Sequence, residues 1–180
     1  MPKWVILDNE GNVLEQVLSV EAPSDENGYN TKGKLIYQVE EFADDQVYAF
    51  DTVGGVWVPK LDVIKARAIQ TLNQKREQAA IPYVTAGYAK TVTYAKQADE
   101  VARASLLAES LDIEQDFPFA YSQSIETGRN VEDILNSFAA GIAASTTALA
   151  QIEAKTQKAL TTISDATTVE EIESALEVDW

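Results

Sequence analysis

Residues 131–163 read VEDILNSFAAGIAASTTALAQIEAKTQKALTTI, and this stretch decides the fold. Taken at steps that alternate between four and three, it gives Val131, Leu135, Phe138, Ile142, Ser145, Leu149, Ile152, Thr156, Ala159 and Ile163. Eight of those ten positions are apolar. That is the 3.5-residue repeat of a helix that buries one narrow seam against other helices. No proline interrupts it, and its one glycine, Gly141, lies off the seam. At about 1.5 Å per residue the helix is about 50 Å long. That exceeds the span of a compact domain of this size, so part of the seam is expected to pack on another segment or on another copy. Seam residues Val131, Leu135, Phe138, Ile142, Leu149, Ile152 and Ile163 are therefore the candidate self-association or helix-packing residues. Ser145 and Thr156 are the polar members. A polar seam residue either fixes register and oligomer state or marks a side that meets water.

Working back from the helix, residues 1–60 read as β structure. Trp4–Leu7, Val13–Val20, Leu35–Val39, Val47–Phe50 and Val56–Val58 are strand-like runs separated by Asp, Asn and Gly turns. Asp8-Asn9-Glu10-Gly11 is a hairpin turn with Gly11 free to take positive φ; its spacing does not meet that of a calcium loop. The result is a small antiparallel β meander, thin enough to need a neighbour. Trp4, Tyr37 and Trp57 lie on its strands. They either fill a thin core or form an aromatic face for docking.

After Pro59 the period changes to that of a helix. Leu61, Ile64, Ala68 and Leu72 line one face of a first helix that ends near Ala80. Its Lys65, Arg67, Lys75 and Arg76 outnumber Asp62 and Glu77, so its outer side is a solvated face or a docking face for the acidic remainder of the chain. Pro82 breaks it. A second helix is expected from Tyr88 to Leu111, with Tyr94, Ala98, Val101 and Ala108 on one stripe. Asp116 and Pro118 suit the start of a short helix that stops at Thr127-Gly128. Asn130 caps the long helix, and Thr168-Val169-Glu170-Glu171 forms a capping box for a last one. The fold expected is α+β: a β module over 1–60, then an all-helical bundle domain over 61–180 with one long helix at about 131–163.

Composition limits the chemistry. The chain has 180 residues, 14 Lys plus Arg and 29 Asp plus Glu, a net charge of -15. Nucleic acids and anionic membranes both select a positive face, so neither is an expected partner. There is no Cys and no His, which removes thiol chemistry and the commonest acid–base catalyst and metal ligand. No catalytic residue, cofactor or metal is expected. Adjacent acids such as Glu40-Glu41, Asp44-Asp45, Asp99-Glu100, Glu132-Asp133 and Glu170-Glu171 diverge from one another, whereas a glycosidase needs convergent carboxylates. The N-terminus has too short an apolar run for a signal peptide, and no run approaches a membrane span. The expectation is a non-enzymatic chain made in the cytoplasm.

Residues Thr93-Tyr94-Ala95-Lys96-Gln97-Ala98-Asp99-Glu100-Val101 resemble the TYxxKxxEA stretch of tailed-bacteriophage tail and tail-fibre-associated proteins. Asp116-Phe117-Pro118, Glu126-Thr127-Gly128, Ile152-Glu153 and Ile163 to Ile172 follow in the order seen there, and the likeness covers residues 61–180. The N-terminal third is similar to the small β module heading many such proteins, through Gly11-Asn12-Val13 and Tyr48 to Pro59. The resemblance implies a structural protein of the virion, in its tail, baseplate or fibre apparatus. Its partners would be other virion proteins and further copies of itself, and its destination the particle. The alternative is a tail-fibre assembly chaperone absent from the mature particle. This chain is much more acidic than the family it resembles.

Overall fold

A computed structural model describes residues 1–84 and 88–180. The strands are β1 (Lys3–Leu7), β2 (Val13–Leu18), β3 (Leu35–Val39), β4 (Tyr48–Asp51) and β5 (Val56–Pro59). The helices are α1 (Leu61–Ala80), α2 (Tyr88–Arg103), α3 (Ile113–Asp116), α4 (Pro118–Thr127), α5 (Val131–Asp165) and α6 (Val169–Ala175). This is the α+β architecture expected, a small antiparallel β region followed by helices, one of them 35 residues long. Packing divides the chain into two compact units, one of residues 1–71 and 159–177, the other of residues 72–158 and 178–180. Pro59 therefore marks a change of secondary structure, while the β strands share a unit with the start of α1, the end of α5 and α6.

In the first unit β1 is central, in the order β2-β1-β3, and β4 and β5 form a separate antiparallel ribbon. The β1–β2 turn is held by Asp8. Its carboxylate accepts from the amides of Glu10 (2.8 Å) and Asn12 (2.9 Å) and from the Asn12 side chain, while Gly11 takes φ 87°. The Asp8 carboxylate is thus engaged in closing a hairpin turn. Val5, Ile6 and Leu7 are all buried. Val5 and Leu7 share one face and pack with Phe50, ringed by Val13, Tyr37, Val39 and Trp57. Ile6 alternates to the other face and is also covered. A strand buried on both sides explains how so small a sheet persists.

Tyr37 and Trp57 pack against this core, while Trp4 lies on the other face of β1. Tyr37 and Phe50 lie 5.0 Å apart between ring centroids, and Phe50 and Trp57 meet edge to face at 5.3 Å. Their polar tips are satisfied within the chain: Tyr37 Oη donates to Thr52 O, Trp57 Nε1 to Glu41 O and Trp4 Nε1 to Ser19 O, each at 3.0 Å. Each of the three is half-buried. Tyr37 and Trp57 thus pack in a thin core with its edges wet.

The basic side of α1 is used inside this unit. Lys65 donates to Ser164 O at 2.7 Å, in the last turn of α5, where backbone carbonyls lack helical partners. Arg67 reaches Asp44 at 3.2 Å and Gln46 at 2.8 Å. Both partners of the Arg67–Asp44 pair are about half exposed, so that pair adds little stability.

The capping box of α6 is present. Thr168 Oγ1 accepts from Glu171 N at 3.2 Å, and the Glu171 carboxylate accepts from Thr167 N at 2.6 Å and Thr168 N at 3.2 Å. The Thr167 amide, then the Thr168 amide, hold Glu171 below its ordinary value. The stabilising contribution of such a depressed carboxylate is present above the unfolded value and is lost as pH falls through the folded one. Replacing Glu171 by Gln should therefore lower the urea midpoint at pH 7, and the gap from the parent should close by about pH 3. An equal gap at both pH values would contradict this.

Candidate docking site

The described seam of α5 faces inward without exception. Leu135, Ile152, Thr156, Ala159 and Ile163 are buried; Val131, Phe138, Ile142, Ser145 and Leu149 are half-buried. Asn130 caps the helix, its side chain accepting from Asp133 N at 2.7 Å. There is no break at Gly141.

What covers the seam differs along its length. At its N-terminal end, Ile134 and Leu135 form a core with Phe117 and Ala120, flanked by Ala104, Leu107, Val131 and Phe138. Beyond Phe138 the cover opens into a groove of about 640 Å³. Phe138, Ile142 and Leu149 form one wall, and Tyr94 and Ala98 of α2 with Tyr83 form the other. Tyr94 is 50 % and Tyr83 44 % exposed. A Cβ built on Gly141, at the edge of this groove, meets nothing within 4 Å. At Ile152 and Thr156 the seam is closed again.

The two polar seam residues part company. Thr156 is fully buried, and its hydroxyl donates to Ile152 O one turn back at 2.8 Å. That bond stays within its own helix. Thr156→Val removes a hydroxyl without orphaning a partner and should change stability by no more than ~1 kcal/mol, read from the urea midpoint. A loss beyond ~2 kcal/mol would mean that the hydroxyl has a further role. Ser145 sits at the groove.

The groove depends on how α2 and α4 are held. Glu100, on α2, is 1 % exposed. Its two carboxylate oxygens accept from Phe119 N at 2.8 Å and Ala120 N at 3.0 Å. These are the free amides in the first turn of α4, where Pro118 has none to offer. A buried charge is thus matched to a helix N-terminus. Arg103 lies over the Phe117 ring, 5.9 Å from its centroid.

Three local expectations are corrected here. Asp116 does not cap α4; it ends α3 and accepts from Ser110 Oγ, while Glu100 satisfies the α4 amides. The second helix ends at Arg103, and residues 104–109 tighten into a 3₁₀ turn. Of its expected stripe, Ala98 and Val101 face partly inward and Tyr94 is exposed on a helix that buries Glu100, while Ala108 falls in the 3₁₀ turn and is exposed. The signal for Glu100 was present only as one half of an Asp99-Glu100 pair. Its partners lie about twenty residues on, and no local pattern exposes that.

Among the described residues, no group of three or more Asp or Glu is placed to hold a metal ion. No helix among them is long and apolar enough to cross a membrane. No protein-family model, curated protein or solved structure matches the chain.

Proposed function

We propose that this chain is a structural component of a tailed-bacteriophage virion that acts by docking on other proteins and on copies of itself. The observation that carries the docking part is the groove along Phe138, Ile142 and Leu149, where, among the described residues, a seam patterned for helix packing is left open beside α2. The order of motifs over residues 61–180 supports the phage setting and the tail, baseplate or fibre apparatus. A net charge of -15 suits a docking protein that must avoid nucleic acid before assembly. No catalytic residue, metal or cofactor enters this reading.

The test is mass spectrometry of purified virions from a phage that encodes this chain. A structural component is present in a fixed ratio to the other virion proteins. Absence from virions, with the chain recovered in lysate bound to fibre proteins, would replace this reading with that of an assembly chaperone.

A further inference from the structure

We infer that the occupant of the groove is a second copy of this chain, α5 against α5, and that the pair tightens as salt rises. The inference rests on the docking reading above and names its partner.

A second copy brings -15 to a molecule already at -15. Two such chains can meet closely only where both lack charge. Residues 134–152, ILNSFAAGIAASTTALAQI, contain no Asp, Glu, Lys or Arg. No other uncharged run in the sequence is as long. Across the groove, the described lining residues, from Pro82 to Ala98, include no charged side chain. The described lining of the groove is therefore neutral in a strongly acidic chain.

Shape and area agree with a second copy. Between Phe138, Ile142 and Leu149 the α5 wall of the groove carries the small residues Gly141, Ser145 and Thr146. Small residues let two helix backbones approach closely, and a seam repeating every 3.5 residues fits an identical seam. The segment is about 28 Å long. With α2 alongside, two helices each about 10 Å wide give a footprint of about 560 Å² per copy, or about 1,100 Å² in all. That is the low end of a specific interface, suited to a reversible dimer with a two-fold axis.

The salt response separates this pairing from docking through ion pairs. Like charges elsewhere on the two copies repel, and salt screens them over a Debye length of about 10 Å at 0.1 M. The apolar contact survives. An interface built on opposite charges would weaken instead.

The experiment is sedimentation equilibrium of the full chain in 20 mM and 500 mM NaCl. The expected result is a monomer–dimer equilibrium whose Kd falls about tenfold or more with salt. Thr146→Glu and Thr146→Lys, at an exposed position on the groove wall, should both abolish the dimer with an unchanged circular dichroism spectrum. Loss in both signs shows that burying any charge is what disrupts the pair. A monomer at every salt concentration, a dimer that weakens with salt, a higher oligomer, or a dimer indifferent to both variants would each overturn the inference. A monomer still found in virions would leave the proposed function standing with a different partner.

Discussion

Glu100→Ala should be among the most damaging single substitutions in the helical region, lowering unfolding free energy by about 3–4 kcal/mol. The magnitude follows from two effects. Losing a helix N-cap costs about 1–2 kcal/mol. Leaving buried donors without a partner costs about 1–3 kcal/mol each. Here one carboxylate serves both Phe119 N and Ala120 N, and Ala120 is fully buried, so water does not replace it freely. Glu100→Gln should lie between alanine and the parent, because its single carbonyl oxygen can serve only one amide well while its NH₂ faces the other. The ordering alanine, glutamine, parent in urea midpoint is the expected result. Equal stability of all three would mean that the carboxylate does not hold α4.

The second large effect contrasts two leucine-like positions on one helix. Leu135 is 3 % exposed and packs with Phe117, Ala120 and Ile134. Leu135→Ala should cost about 2–5 kcal/mol, the transfer and cavity terms together. Ile142 sits four residues beyond Phe138 on the same seam but lines the open groove. Its side chain is already partly in water in the monomer. Ile142→Ala should cost under about 1.5 kcal/mol at low salt, because half of the burial term is absent. Seven residues apart, the two positions are equivalent in the repeat. Their difference in urea midpoint measures where the seam is filled from within the chain and where it lies open. Similar losses at both would show that the groove is closed in solution.

Much of this fold is legible because its signals are local. The five strands, the N-cap at Asn130, the stop at Gly128, the capping box at Thr168 and the length of α5 each depend on residues within a turn or two of one another. What the sequence hides is pairing across distance. The strand runs do not say that β1 becomes the central strand, with β3 closing on its free side. The apolar face Leu61-Ile64-Ala68-Leu72 is inward as read. The stripe through Tyr94 and Ala108 is not: Tyr94 is exposed on the helix that buries Glu100, and Ala108 falls in the 3₁₀ turn. Half of the docking site is visible in the repeat of α5. The other half is a matter of which seam positions lack a cover, which only the positions of α2 and of Pro82–Val84 reveal.

Among the described residues, α5 is one continuous helix whose middle lines an open groove. Hydrogen exchange of the full chain, read by mass spectrometry on peptides across residues 131–165, tests it most directly. The account predicts one slowly exchanging block with no gap at residues 139–144, and added protection over residues 138–150 when salt is raised. Two protected blocks separated by fast exchange around Gly141 would show a broken helix and contradict it.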